Sequence, residues 1–300
     1  MDILSVKGLK KSFGKNQILK GIDFSIGEKE IVGFLGPNGS GKSTTIKCIT
    51  GLYHMTEGEI KICNYNIVKE RTKALSMLGV SIEAPALYPQ LTGMEHLKMM
   101  GKWRKVSSER VREMAEYTGI GHNLKRRIGT YSMGMKMRLM LAMTMMAKPA
   151  LLILDEPTNG LDPQAVFELR EEMEKIREAG SSILFSSHQL SEVEKLSDRV
   201  VILNHGEMIY DGKLPKDIAG TQYQIQVEPM HQRVCLDKID SLGIQNCGIK
   251  ENTTDWICFQ AESQESLGKV LAEVGHVSQI IDVVKCEMNL EEFYKRIYQR

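Results

Sequence analysis

Apolar and polar positions divide the chain into stretches with different periodicity. Up to about residue 80, and again over 150–213, short apolar runs of strand length alternate with helical patterns. Most of these runs are apolar at nearly every position, which is typical of parallel strands that are buried on both faces. Residues 84–148 instead show the spacing of amphipathic helices. This order predicts an α/β core that is interrupted by a helical subdomain.

The pattern changes again in the C-terminal part of the chain. Residues 221–300 show, in order, a strand, a helix, two strands, a helix and a strand, which is the order of a small ferredoxin-like or split βαβ α+β domain. Asn289, with Glu292 three residues later, is an N-cap signal for a final amphipathic helix. We therefore predict two domains, residues 1–215 and 221–300. No set of residues in the second domain carries chemistry, so it is interpreted either as a regulatory or assembly domain or as a source of stability.

Composition excludes function classes without identifying one. With 300 residues, 42% of them hydrophobic, the chain is long enough for two domains with separate cores. Its net charge of +1 predicts no nucleic-acid partner and no binding to anionic membrane surfaces. The six cysteines show neither C-x-x-C pairs nor metal-ligand spacing, and no secretory leader precedes them, so we expect reduced cytosolic thiols. No apolar run approaches the ~20 residues of a transmembrane helix, so a role in transport requires a second polypeptide.

A glycine-rich segment follows the apolar run at 31–35 and fits the pattern G-x-x-x-x-G-K-[ST] at every fixed position. Glycines let the backbone fold around an anion, so that successive N–H groups and the positive end of the next helix point at phosphates. In this arrangement Lys42 reaches the β- and γ-phosphates, and the Ser43 hydroxyl faces the Mg²⁺ that bridges them. The loop therefore predicts a nucleoside-triphosphate site with Mg²⁺ as cofactor, and the same loop occurs in many kinds of NTPase. The candidate nucleotide-binding residues of this loop are Gly36, Pro37, Asn38, Gly39, Ser40, Gly41, Lys42, Ser43 and Thr44.

Two adjacent acids end the apolar run that begins at residue 150. The carboxyl ends of buried parallel strands meet the ligand in open α/β sheets. Asp155 is therefore a candidate for holding the Mg²⁺, directly or through water. Glu156 is a candidate for polarising the water that attacks the γ-phosphate. Without the phosphate loop, two solvated acids at a strand end would be the better interpretation.

Between these two motifs lies the segment 131–138, Tyr-Ser-Met-Gly-Met-Lys-Met-Arg, followed by a helical run rich in Leu, Met and Ala. It resembles the signature of the ATPase subunits of ATP-binding-cassette (ABC) transporters, which is Leu-Ser-Gly-Gly-Gln followed by a basic residue and a helix. Ser132 and Gly134 match this signature, whereas Met133 and Met135 replace its first glycine and its glutamine. The resemblance implies that this segment contacts the γ-phosphate held by a second copy, with the hydroxyl kept and the amide lost.

The other landmarks of the resemblance follow in the same order as in the family. Phe13 matches the aromatic residue that stacks on adenine, although an early Phe by itself is more often a core residue. Asp162 matches the loop that reaches across the dimer, and it is also a helix N-cap that precedes Pro163. His188 ends another buried-strand pattern, where an imidazole can bond to the γ-phosphate and steady the attacking water. The resemblance thus makes Glu156 and His188 the candidate catalytic residues.

One departure from the family falls at a metal-binding position. The family usually has a glutamine between the core and the helical subdomain, and Glu83 takes that place here. A carboxylate is a better ligand for a hard cation than an amide, so the candidate metal ligands are Ser43, Glu83 and Asp155. The segment 84–97 that follows is expected to receive a short helix of the membrane partner. Through Glu83 and the altered signature, the chain resembles the subgroup that exports, or confers immunity to, bacitracin and lantibiotics.

The resemblance implies a fold and a function together. The fold is a P-loop NTPase of the ABC cassette type, with a RecA-like core and with antiparallel β and helical subdomains. The function is ATP binding and hydrolysis that powers an exporter, with two cassettes in a homodimer, an integral membrane permease, and a peripheral position on the cytoplasmic face of the membrane. The alternative is an ABC ATPase that acts on ribosomes or nucleic acid, but such relatives usually fuse two cassettes or insert a long coiled coil. A binding protein with an inactive nucleotide site is a third interpretation.

Overall fold

The computed structural model describes residues 2–82, 87–214, 221–244, 248–249, 255–261, 263–286 and 289–298. The candidate metal ligand Glu83 lies outside these residues, as does the start of the segment expected to receive the membrane partner. The chain divides into two compact units, unit 1 (Met1–Gly212) and unit 2 (Lys213–Arg300).

Unit 1 combines strands and helices in the alternation that the sequence predicts. In chain order its described strands are β1 (Asp2–Phe13), β2 (Asn16–Gly27), β3 (Ile31–Leu35), β4 (Glu57–Ile62), β5 (Tyr65–Asn66), β6 (Leu78–Ser81), β7 (Leu151–Asp155), β8 (Ser182–Ser186), β9 (Arg199–Asn204) and β10 (Glu207–Lys213). Its described α-helices are α1 (Lys42–Ile49), α2 (Arg71–Ser76), α3 (Gly93–Arg104), α4 (Ser108–Tyr117), α5 (Met133–Thr144), α6 (Pro163–Glu178) and α7 (Leu190–Leu196).

The larger sheet brings the sequence motifs to one edge. Its strand order is β10-β9-β3-β8-β7-β6, with parallel pairing from β9 through β6. Strands β3, β7 and β8 are buried at every residue, which explains their continuous apolar sequences. Strand β3 leads into the phosphate loop, β7 ends in Asp155, and β8 ends two residues before His188. Because these three strands are neighbours and parallel, the motifs meet at their carboxyl ends.

The antiparallel sheet, in the order β2-β1-β4-β5, packs on the same core. Side chains from this sheet, from β3 and from α1 belong to one buried cluster. Phe24 of β2 stacks on Phe34 of β3 with ring centroids 5.6 Å apart. This packing fixes α1 and the phosphate loop against both sheets.

The helical subdomain contains α3, α4 and α5 between β6 and β7. Each of these helices begins where a side-chain oxygen accepts a backbone N–H: Thr92 before α3, Ser107 before α4 and Ser132 before α5. At α3 the cap is reciprocal, because the Glu95 carboxylate accepts the Thr92 N–H at 2.7 Å. The predicted helical subdomain is therefore built from helices with local start signals.

Unit 2 is an α+β unit. Its described elements are β11 (Thr221–Val227), α8 (Gln232–Ser241), β12 (Gly248–Ile249), β13 (Trp256–Ala261), α9 (Gln264–Gly275), β14 (Ile280–Cys286) and α10 (Leu290–Tyr298). The sheet order is β12-β13-β11-β14, and the paired strands are antiparallel. The predicted β-α-β-β-α-β order is confirmed, and Asn289 Oδ1 accepts the Glu292 N–H at 2.8 Å as an N-cap of α10. The predicted α/β fold class with a C-terminal α+β part is confirmed.

Candidate nucleotide site

The phosphate loop lies between β3 and α1, and it has glycine at positions with positive φ where a Cβ would clash with neighbouring atoms. Gly36 has φ +151°, and a Cβ built there would lie 2.5 Å from both the Leu203 carbonyl oxygen and Ser40 Oγ. Gly41 has φ +112°, and its Cβ would lie 2.6 Å from a methyl group of Leu19. Both positions therefore require glycine for space as well as for conformation.

Lys42 is nearly buried and is held by the loop itself. Its ammonium donates to the carbonyl oxygen of Gly36 at 2.5 Å and to that of Pro37 at 3.3 Å. Burial lowers the pKa of Lys42, and the nearby carboxylates of Glu156 and Asp155 oppose this shift. The site thus holds a partly desolvated cation close to the two acids, in a position suited to polyphosphate.

A pocket of about 600 Å³ joins the predicted motifs. This volume lies within the range of ligand pockets, roughly 300–1,000 Å³. It is lined by most of the sequence-predicted residues of the phosphate loop, by Phe13 and Met133, and by the acids Asp155 and Glu156 at and just after the end of β7. The lining residues are Phe13, Ile18, Pro37, Asn38, Gly39, Gly41, Lys42, Ser43, Thr44, Ser81, Met133, Met137, Asp155, Glu156, Pro157 and Asn159.

The two acids and the histidine form a connected group. Asp155 is buried at the end of β7, and Glu156 follows with φ +51°, a left-handed conformation that is uncommon outside glycine. His188 Nδ1 lies 2.7 Å from Glu156 Oε2. An ionised carboxylate can only accept, so the contact is a hydrogen bond in the tautomer that has its proton on Nδ1. The structure therefore brings both candidate catalytic residues into direct contact.

Sequence reasoning gave no role to Ser186, which contacts both acids. Its hydroxyl donates to Asp155 Oδ1 at 2.5 Å and accepts the Glu156 N–H at 2.9 Å. A polar residue at the end of an otherwise apolar strand pattern, two positions before His188, was the available signal.

Phe13 also lines the pocket and is 45% exposed, so it is not a core residue. Its ring meets the edge of Tyr53 at 5.3 Å between centroids, and the Lys11 ammonium lies 4.5 Å from its centroid. This braced, half-exposed ring is available for stacking on a planar base.

The signature segment serves a structural purpose as well. Ser132 Oγ accepts the Met135 N–H at 3.3 Å and so caps α5. The terminal methyl carbon of Met133 lies 3.5 Å from the position of a Cβ on Gly160, and Met133 lines the pocket of its own chain. Asp162 in turn caps α6, because its carboxylate accepts the Ala165 N–H at 2.8 Å. The N-cap interpretation of Asp162 is thereby confirmed. Asp162 is also exposed, so the expected reach across a dimer stays a prediction for the same residue.

The described residues contain no group of three or more His, Cys, Asp or Glu side chains that could hold a metal ion by themselves. Ser43 and Asp155 nevertheless line one pocket, and a hydroxyl and a carboxylate are the hard oxygen donors that Mg²⁺ prefers. A cation that shares ligands with a triphosphate fits this donor set. In the part of the chain that the structure covers, no helix has the length and apolar character needed to cross a bilayer.

Comparison with known proteins identifies the family. Residues 19–159 match the family model described as ABC transporter. An uncharacterized ABC transporter ATP-binding protein, YdbJ of Bacillus subtilis (strain 168), is 38% identical over 277 residues, covering 91% of this chain and 83% of that protein. The chain belongs to the ABC transporter ATP-binding proteins. As a member of this family it is an ATPase whose hydrolysis is coupled to transport.

Other ABC relatives have names that state a cargo. The bacitracin transport ATP-binding protein BcrA of Bacillus licheniformis is 32% identical over 307 residues, covering 98% of this chain and 97% of that protein. The lantibiotic transport ATP-binding protein SrtF of Streptococcus pyogenes is 39% identical over 217 residues, covering 70% of this chain and 92% of that protein. These names describe transport, and they do not support the alternative of a ribosome or nucleic-acid ATPase.

Solved ABC cassettes have the same fold as unit 1. The ATP-binding subunit of an ABC transporter superposes with a TM-score of 0.66 at 32% identity, covering 71% of this chain and 90% of that chain. A dimeric ATP-binding cassette in a post-hydrolysis state, bound to ADP and Pi, gives a TM-score of 0.62 at 26% identity, covering 70% of this chain and 98% of that chain. The expected ABC cassette fold is thereby confirmed.

Proposed function

We propose that this chain powers an exporter of peptide antibiotics, and that the pocket between the phosphate loop and the Glu156–His188 pair is its hydrolytic site. The observation that carries this proposal is the union of a phosphate-binding loop, a partly desolvated Lys42 and a paired candidate base in one cavity. The names of relatives that transport bacitracin and lantibiotics support the cargo class.

In the proposed complex ATP lies with its base on Phe13 and its phosphates in the loop. The Lys42 ammonium then exchanges the carbonyl oxygens of Gly36 and Pro37 for phosphate oxygens, which are stronger, charge-assisted acceptors. The backbone N–H groups in the first turn of α1 and the positive end of this helix favour the same anion.

Hydrolysis is a transfer of the γ-phosphoryl group to water. Glu156 accepts a proton from the attacking water as oxygen bonds to the γ-phosphorus, and the bond to the β–γ bridging oxygen breaks to leave ADP and phosphate. His188 Nδ1 lies 2.7 Å from Glu156 Oε2, and His188 is proposed to hold this carboxylate in place and to bond a γ-phosphate oxygen.

Mg²⁺ would be held by Ser43 and Asp155, and Glu83 is proposed as a further ligand. When bound, the ion neutralises charge that develops on the β- and γ-phosphates. The Ser43 hydroxyl and the Asp155 carboxylate would provide oxygen donors for it.

Two copies are proposed to sandwich two ATP molecules, with Ser132, Met133, Gly134 and Met135 of one copy facing the phosphates bound by the other. A dimeric ATP-binding cassette among the structural relatives supports this arrangement. An integral membrane permease is the second partner, which would place the chain at the cytoplasmic face of the membrane as a peripheral subunit. No nucleic-acid partner is proposed.

The test combines hydrolysis with partner recovery. The purified full chain should release phosphate from ATP in the presence of Mg²⁺, and Lys42→Ala should not. Affinity purification from detergent-solubilised membranes should recover a permease, and its complex should hydrolyse ATP faster when bacitracin or a lantibiotic is added. Phosphate release no greater than that of Lys42→Ala, or recovery only with ribosomes or DNA, would overturn the proposal.

A further inference from the structure

Ser186 occupies the centre of the sheet edge that carries the nucleotide site. It is the last residue of β8, it is fully buried, and it lies opposite Asp155 of β7 on one side and Phe34 of β3 on the other. The register of three neighbouring strands therefore places Ser186 between β3, which leads into the phosphate loop, and β7, which leads into the two acids.

The hydroxyl forms two hydrogen bonds, one in each direction. It donates its single proton to Asp155 Oδ1 at 2.5 Å and accepts the backbone N–H of Glu156 at 2.9 Å. The first bond restrains rotation of the Asp155 carboxylate. The second gives a partner to the N–H at the point where the chain turns out of β7.

That turn has an unusual backbone. Glu156 has φ +51°, which few residues other than glycine, Asn or Asp adopt without support from the surrounding structure. The conformation directs the Glu156 side chain toward His188, which also comes from the end of β8. Thus the last residue of β8 bonds to the backbone of Glu156, and His188, two residues beyond the strand, contacts its carboxylate.

We infer that Ser186 is a positioning residue for ATP hydrolysis, which orients Asp155 toward the cation and holds Glu156 in the conformation that presents its carboxylate. The inference rests on the proposed roles of Asp155 and Glu156. Ser186 is not proposed to contact ATP. Because Ser186 acts through the two acids, its removal should change the Mg²⁺ dependence and kcat and leave ATP binding intact.

The test compares three variants of the full chain. Ser186→Ala removes both hydrogen bonds, and Ser186→Thr keeps a hydroxyl on a residue that suits a strand. Ser182→Ala is the matched control, because Ser182 lies on the same strand, is equally buried, and donates to the Gly27 carbonyl oxygen at 2.7 Å, far along β8 from the acids. Phosphate release is measured against Mg²⁺ at saturating ATP, with ATP affinity by calorimetry and thermal unfolding for each variant.

We expect Ser186→Ala to lower kcat by about tenfold through the lost bond to Glu156. It should also raise the Mg²⁺ concentration for half-maximal rate by about tenfold through the lost bond to Asp155, because one hydrogen bond accounts for a change of this size. ATP affinity should change less than about threefold, and Ser186→Thr should recover most of the rate. Ser182→Ala should lower the melting temperature by about as much as Ser186→Ala does. It should leave kcat and Mg²⁺ dependence unchanged.

Two results would overturn the positioning role. One is native kcat and Mg²⁺ dependence in Ser186→Ala. The other is an equal loss of rate in Ser186→Ala and Ser182→Ala, which would mean that stability alone is affected. If Ser186→Thr does not fold, the comparison of the two alanine variants still decides. ATP hydrolysis at the native rate by the Glu156→Gln variant would instead contradict the proposed function, independently of Ser186.

Discussion

Lys42 is suited to bind a phosphate, but its burial lowers the stability of the folded protein without ATP. Its ammonium is 9% exposed and is bonded to two loop carbonyl oxygens. Burial lowers its pKa from 10.5, so the charged form is less stable in the folded chain than in the unfolded one. The unfolded state therefore binds more protons between the lowered pKa and 10.5, and the stability of the empty protein rises with pH across that window.

Lys42→Met should accordingly weaken ATP binding by at least about a hundredfold, because it removes a charge-assisted contact. The empty variant should melt at the same temperature as the wild type or higher, since a buried cation becomes an apolar side chain of similar length. Calorimetry with ATP and thermal unfolding without it check the two parts. A variant that binds ATP normally would contradict the assignment of the phosphate loop.

Glu156→Gln should separate binding from turnover. The substitution keeps the shape of the side chain and an acceptor for the His188 Nδ1–H, but it removes the base, so phosphate release should fall by about 10²–10⁴-fold. ATP affinity should stay within about threefold of the wild type. ATP should then stabilise a dimer, which light scattering measures with and without nucleotide. Native turnover in this variant would show that Glu156 is not the base.

At the scale of elements, helix starts and loops at the site have structural and proposed functional roles together. Asp162 caps α6, and the same exposed residue is proposed to reach across the dimer. The loop after β6 is similarly anchored: the Tyr88 N–H donates to His96 Nε2 at 3.0 Å, and His96 Nδ1 lies 2.9 Å from the Thr92 carbonyl oxygen. His96 is fully buried and uses both ring nitrogens, so it holds the described part of this loop in place.

Asp162→Ala should cost about 1 kcal/mol of stability as a lost N-cap. Ser107→Ala is the matched control, because Ser107 caps α4 by accepting the Arg110 N–H at 3.3 Å. Only the change at Asp162 should also weaken the ATP-dependent dimer of the Glu156→Gln chain, and Asp162→Asn should restore the cap. Chemical denaturation and light scattering give the two quantities. Equal dimerisation in both alanine variants would limit Asp162 to capping.

Replacing Leu87 and Tyr88 together with aspartate should abolish assembly with the permease while ATP binding stays intact. Tyr88 is 54% exposed beside the expected socket, where a partner helix would bury it. Trp103→Asp is the control, since Trp103 is 63% exposed at the other end of α3. Co-purification in detergent measures the outcome. Normal assembly of the double variant would place the permease contact elsewhere.

At the scale of the whole molecule, the two units have cores of their own. The buried cluster of unit 2 is formed by side chains of β11, β13, α8 and α9, and the cluster around the nucleotide site belongs to unit 1. All residues that line the nucleotide pocket precede residue 160. ATP binding should therefore be a property of unit 1 by itself.

A chain truncated after Leu214 should bind ATP with an affinity within about threefold of the full chain. Its circular dichroism spectrum and cooperative unfolding establish that it is folded, and calorimetry gives the affinity. If the truncated chain folds and does not bind ATP, the predicted boundary between the domains is wrong. Loss of assembly with retained binding would assign the C-terminal domain to partner recognition.

Local sequence determined the features that depend on residues close in the chain. The phosphate loop is legible because its glycines and Lys42 lie within eight consecutive positions, 36–43. The helix caps at Ser107 and Asn289, and the buried strand β7 that ends in Asp155, follow from short-range periodicity and hydrogen bonding in the same way. The family resemblance added the order of the distant motifs and, through it, the cassette fold.

Tertiary structure decided which distant groups touch. Ser186 and Asp155 are 31 positions apart and meet because β7 and β8 pair in parallel with these two residues opposite each other. The left-handed backbone of Glu156, the depressed pKa of Lys42 and the approach of Met133 to Gly160 likewise have no local signature. Strand order, register and burial are set by the packing of the whole core, and a one-residue change of register would separate the Ser186 hydroxyl from both acids.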